Sequence, residues 1–162
     1  MSNILIAFDE STTCTGYAIF EDEKLIDYGA IVQKSKNVIE RISEIAYGIE
    51  DLIQRYRPND IALENVQITM SAPTAKSLMG LQLLIEVLCY RYQINYQTLR
   101  TAHWRKVLGL SNSPKIKRSE KKQQTINYIE NKYEIKIDKD DISDAIAIGT
   151  AYILEKKEGK NG

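Results

Sequence analysis

The chain has 162 residues, 43% of them hydrophobic and 27% charged, with 22 basic and 22 acidic side chains. That length can bury a sizeable core, and no apolar run reaches the length of a bilayer span, which excludes a helical membrane protein. Two cysteines, Cys14 and Cys89, sit in no metal-ligand spacing, and no signal-peptide pattern opens the chain, so a reducing cytoplasm is the expected setting.

In chain order, residues 4–9 (ILIAFD) are continuously apolar up to Asp9 and predict a buried strand. Residues 11–15 are hydroxyl-rich turn chemistry. Gly16 and the Thr-rich turn are expected to let the chain reverse tightly into a second strand over 16–20. A turn at 21–23 and an alternating strand over 24–33 complete an antiparallel meander. Apolar residues at Val38, Ile42, Ile45, Ile49, Leu52 and Ile53 predict a helix over 38–56, ended by Pro58. Residues 60–64 (DIALE) form another short buried strand that ends in a carboxylate. A long helix is predicted over 71–92, with Ser71 as N-cap and Pro73 in the first turn. It is apolar nearly all round, which implies burial on every side, as a core helix or against a second subunit. A strand over 94–99, a short helix over 101–108, and helices over 119–133 and 141–155 follow. Residues 157–162 are expected to be a disordered tail, so residues 1–156 are read as one α/β domain around a mixed sheet.

The zero net charge hides segregation. Between residues 100 and 122 stand Arg100, Arg105, Lys106, Lys115, Lys117, Arg118, Lys121 and Lys122 against a single acid, Glu120. The remainder holds 14 basic and 21 acidic residues. Such a segment on an acidic protein points to a polyanionic partner, and its lysines to phosphate contact.

Four acids stand out by position. Asp9 and Glu64 each end a buried strand, where a lone carboxylate carries a desolvation cost. Asp141 and Asp144 stand three apart at the start of an apolar helix and so share a face. Singly, each has a structural explanation: an Asx-turn for Asp9, a solvated strand end for Glu64, helix capping for Asp140 and Asp141. Together, beside a basic segment, they point to metal-dependent chemistry on nucleic acid. Crowded carboxylates call for a cation, and hard oxygen ligands suit Mg²⁺ or Mn²⁺. His103, alone in a basic helix, reads as a surface residue. The ten tyrosines are too scattered to indicate a covalent tyrosine mechanism.

The stretches IAFDESTTCTGYAIF (6–20), DIALENV (60–66) and DDISDAIAIGTAY (140–152) occur in the order found in RuvC-like Holliday junction resolvases, and the chain resembles that family from residue 3 to about 154. The resemblance implies a ribonuclease-H-like fold: a five-stranded mixed sheet, three antiparallel strands then two parallel, flanked by helices. It implies a homodimer joined through helix 71–92, acting on branched DNA such as four-way junctions and forks. Four metal-binding carboxylates fall on Asp9, Glu64, Asp141 and Asp144, for two Mg²⁺ or Mn²⁺ ions per site, with Asp9 bridging and Asp140 left to capping. Lys121, with Lys122, corresponds to the family's basic residues near the scissile phosphate. Arg105 and Lys106 match more loosely, and Lys115, Lys117 and Arg118 complete the expected DNA contacts. Two departures stand out. Glu10 replaces a common Pro. Gln67 stands where cellular bacterial members carry an aromatic, which argues for a phage or mobile-element member of relaxed selectivity. The alternatives are a catalytically silent branched-DNA-binding module and a YqgF-like nuclease acting on RNA. The first hairpin is also similar to that of sugar kinases and actin-like ATPases, but 162 residues do not supply their second lobe.

Overall fold

The structure is a computed structural model that describes residues 1–67 and 71–161. β1 (Ile4–Asp9), β2 (Cys14–Glu21) and β3 (Lys24–Val32) pair antiparallel in chain order. Then follow α1 (Val38–Tyr56), β4 (Asp60–Glu64), α2 (Ala72–Tyr92), β5 (Asn95–Leu99), α3 (Thr101–Val107), α4 (Arg118–Tyr133) and α5 (Asp140–Asn161). β4 lies parallel to β1 and β5 parallel to β4, so one mixed sheet forms in the order β3-β2-β1-β4-β5. The fold class is the one expected from the sequence.

Local chemistry sets the element ends. The Asn37 side chain accepts hydrogen bonds from the backbone N–H groups of Ile39 and Glu40, capping α1. Arg57 closes that helix in the left-handed conformation, immediately before Pro58. Ser71 precedes α2 but makes no side-chain cap; its hydroxyl donates to Thr74 instead.

Strand alternation divides the core in two. On one face Ile4, Ile6, Phe8, Ile19, Ile61 and Leu63 meet α1 and α2. On the other, the central positions are Ala7, Ala18 and Ala62, and α5 lies over them. These small residues let α5 approach closely. A Cβ added at Gly149 would meet Phe20 at 2.3 Å and Ala7 at 3.0 Å. Residues 142–152 of α5 are accordingly almost all buried.

One expectation needs correction, and one of two alternatives is removed. Helix α5 continues to Asn161, through most of the segment expected to be a disordered tail. Lys156 pairs with Asp60 and Lys157 with Glu23, which ties the last turns to the sheet. Helix α2 is not buried on every side within the chain. Leu81, Ile85, Leu88 and Cys89 face the core, while Met79, Leu83, Leu84, Val87 and Tyr90 are exposed, Leu83 by 60%.

Candidate active site

The register pairs Phe8 with Leu63, so Asp9 and Glu64 leave adjacent parallel strands at the same edge of the sheet. Each lies two residues beyond an alanine of the face beneath α5, and so projects to that side. The start of α5 reaches this edge because of Gly16, the register partner of Asp9 on β2. A Cβ there would lie 2.0 Å from the carbonyl oxygen of Asp141. Gly16 is therefore a strand residue, as expected, but its missing side chain serves to admit a helix backbone rather than to tighten the turn. Hydroxyls hold the turn before it: Thr15 Oγ1 donates to the Ser11 carbonyl at 2.7 Å, and the Ser11 N–H donates back to Thr15 Oγ1 at 3.1 Å.

Asp9, Glu64, Asp141 and Asp144 line one cleft, together with Arg118, Lys121 and Lys122 of α4. Its volume of about 1030 Å³ lies at the upper end of the usual range for ligand sites. Burial, then the charges of Asp144, Glu64, Glu10 and Asp141, hold Asp9 well above the ordinary carboxylate pKa. Asp144 is raised likewise, by burial first and then by Glu64, Asp140 and Asp141, with Lys122 opposing. Burial raises Glu64 too, opposed by the hydrogen bond from Thr101. Mutual repulsion of this kind is relieved by positive charge, and the donor set is all hard oxygen, which fits Mg²⁺ or Mn²⁺. As they stand, no three acidic, His or Cys side chains among the described residues close round a single point that could hold an ion.

The basic candidates separate by location. Lys121 and Lys122 line the cleft, and Lys122 forms an ion pair with Asp140. Asp140 is thus the first residue of α5 and a partner for α4, rather than a cap. Lys106, Lys115 and Lys117 are exposed outside the cleft lining, and Arg118 is exposed on its rim. Arg105, expected among the DNA contacts, is only 4% exposed. Its guanidinium donates to the Ser111 carbonyl at 3.1 and 2.9 Å, the Lys121 carbonyl at 3.1 Å, Thr125 Oγ1 at 2.9 Å and Gln124 Oε1 at 2.9 Å. That uses all five N–H donors to hold α3 and the following loop against α4.

Other residues line the cleft beside the expected ones, Thr101, Trp104 and Arg41 without any sequence signal. Thr101, at the start of α3, donates its hydroxyl proton to Glu64, and Trp104 one turn later is buried beside it. Arg41 enters from α1. Glu10 is 9% exposed, and both its carboxylate oxygens are buried without a hydrogen-bond partner. Its pKa is pushed up to about 8, mainly by burial, with the charges of Glu64 and of Glu86 on α2 contributing. Gln67 is exposed, while residues 68–70 of the same loop lie outside the described residues.

Comparison with known proteins gives a consistent result. The crossover junction endodeoxyribonuclease RuvC family pattern matches residues 5–152. A crossover junction endodeoxyribonuclease RuvC from Alkaliphilus metalliredigens is 29% identical over 159 residues, covering 92% of each chain. One from Dictyoglomus thermophilum is 29% identical over 164 residues, covering 96% of this chain and 99% of its own. Among solved structures, the fold is similar to that of T. thermophilus RuvC in complex with a Holliday junction substrate. There the TM-score is 0.80 at 14% identity, with 97% of this chain and 96% of that one covered. The Fowlpox virus resolvase, solved with Holliday junction DNA, superimposes with a TM-score of 0.64 at 16% identity, covering 95% and 98%.

Proposed function

The chain belongs to the crossover junction endodeoxyribonuclease RuvC family, a family of metal-dependent nucleases, and from that premise we propose how its own residues resolve a four-way DNA junction. The observation that carries the reading is the cleft itself, where four carboxylates from β1, β4 and α5 face lysines of α4. Asp9, Glu64, Asp141 and Asp144 would hold the divalent ions, Mg²⁺ or Mn²⁺. Bound there, the ions supply an activated water and stabilisation of the leaving oxygen in an in-line displacement. Lys121, in the opposite wall, neutralises charge that develops on the scissile phosphate. Arg105 positions that wall, because it bonds the Lys121 carbonyl from within. Lys122 acts from its pair with Asp140, which steadies the start of α5. Arg118 on the rim and Lys106, Lys115 and Lys117 beyond it extend the positive surface along the arms of the substrate.

A four-way junction presents two equivalent strands, so paired cuts require two sites related by a two-fold axis. The exposed Met79, Leu83, Val87 and Tyr90 recur at helical spacing along α2 and supply a self-complementary apolar face for a homodimer. Gln67, in place of an aromatic, removes a stacking wedge for unpaired bases, which favours relaxed selectivity that includes forks, as in a phage or mobile-element enzyme. No helix among the described residues is long and apolar enough to cross a membrane. The DNA substrate points to work in the cytoplasm of a bacterial host.

The test is nicking of a labelled four-way junction, beside a matched fork and duplex, with and without Mg²⁺ or Mn²⁺. Paired, metal-dependent cuts on the junction are expected, with Asp144→Asn binding normally and cutting at least about a thousandfold more slowly. Tight binding without cutting under either metal would instead make the protein a silent branched-DNA module.

A further inference from the structure

Glu64 accepts a side-chain hydrogen bond from Thr101, and that donor belongs to a chain of contacts. The Asn65 N–H donates to the Leu99 carbonyl at 2.9 Å, which fixes the end of β4 against the end of β5. Two residues past Leu99, Thr101 begins α3, and its hydroxyl donates to Glu64 Oε1. A hydroxyl has one proton to give, and its rotor must be set by something else. Gln67 sets it: its amide Nε2 donates to Thr101 Oγ1 at 3.1 Å, occupying a lone pair and leaving the Thr101 proton for Glu64. Gln67 is exposed on the loop that follows Glu64.

We propose that Thr101 is a positioning residue for Glu64, and that Gln67, through Thr101, links the exposed loop after β4 to the geometry of the metal-binding carboxylate. The inference rests on the nuclease reading above. A carboxylate that can rotate presents its second oxygen to an ion only part of the time. One oxygen held by Thr101 leaves Glu64 Oε2 in a fixed direction. A nucleic-acid strand that draws the Gln67 amide away releases the Thr101 hydroxyl, and a strand that leaves the contact intact keeps Glu64 aligned. Substrate shape at the loop is thereby read at the carboxylate, with no base contact by Thr101.

The experiment compares wild type, Thr101→Val, Thr101→Ser and Gln67→Leu by four readouts: junction affinity in Ca²⁺, single-turnover cutting rate at saturating protein, Mn²⁺ binding without DNA by calorimetry, and melting temperature. Thr101→Val keeps the shape and loses the hydroxyl. It is expected to weaken Mn²⁺ binding and slow cutting, each on the order of tenfold or more, with junction affinity and melting temperature unchanged. Thr101→Ser restores both. Gln67→Leu shifts both in the same direction by a smaller factor, roughly three- to fivefold. Mn²⁺ binding by Thr101→Val equal to wild type, or a serine variant no better than valine, overturns the proposal. If wild type itself neither binds Mn²⁺ nor cuts, the nuclease reading fails instead, and the two failures are distinct.

Discussion

Helices α2 and α5 are alike in sequence and opposite in circumstance. Both are long and apolar on most sides, and they cover opposite faces of the same sheet. Helix α5 is enclosed because its own residues and those beneath it are small: Ala145, Ala147, Gly149 and Ala151 above, Ala7, Gly16, Ala18 and Ala62 below. With α3 and α4 alongside, little of its middle meets solvent. Helix α2 carries large side chains all round and rests on α1 and β5, so the chain covers only half of it. Small residues let a helix be buried within a fold; large apolar residues on its far side call for a second molecule. The two helices thereby differ in role, with α5 carrying Asp141 and Asp144 to the cleft and α2 left with the uncovered apolar face that the proposed homodimer would use.

The sharpest way to break this contrast is Gly16→Val. Its Cβ cannot coexist with the Asp141 carbonyl at the present distance, so the start of α5 must lift from β2. A shift of that kind is expected to lower cutting by about 100-fold and the melting temperature by roughly 10 °C. An unchanged rate would show that the carboxylates of α5 need no close approach to Asp9. The second perturbation is Leu83→Glu with Val87→Glu. Charges on the uncovered stripe of α2 are expected to weaken self-association at least about tenfold by sedimentation, while the fold of each chain survives. Wild type that sediments as a monomer at working concentration would leave the stripe without a purpose and remove the dimer reading.

The smallest expected effect concerns Glu10, whose carboxylate oxygens are buried without a hydrogen-bond partner. Glu10 has a pKa of about 8 in the fold against 4.5 for an ordinary Glu. The fold favours its protonated form, so its contribution is fully present below pH 4.5 and is lost as pH rises through 8. Metal-free Glu10→Gln is expected to melt within a degree or two of wild type at pH 4.5 and roughly 5 °C higher at pH 9. Equal melting at both values would mean that Glu10 finds a compensating partner.

Much of the site was legible because it is local in sequence. Asp9 and Glu64 could be read as strand ends because short apolar runs, residues 4–8 and 61–63, stop on them, and parallel pairing then aligns the two by register. Asp141 and Asp144 could be read together because three residues along a helix span most of a turn. The setting of Arg105 was not legible, for a physical reason. A basic residue in a basic segment resembles a phosphate contact, and only the arrival of Ser111, Gln124 and Thr125 around it makes it a buried clamp. Thr101 left no trace in the sequence, and Gln67 stood out only as a replaced aromatic, since the bonds that join them to Glu64 are tertiary.

By itself, then, the sequence determined the order of elements, the mixed sheet and the four carboxylates, because strand and helix periodicities and capping act over a few residues. Tertiary structure alone decided that Gly16 admits α5 to the edge of the sheet, that Arg105 turns inward and that half of α2 stays uncovered. Each of these depends on how closely two elements approach, a distance set by the side chains of both and carried by neither segment alone.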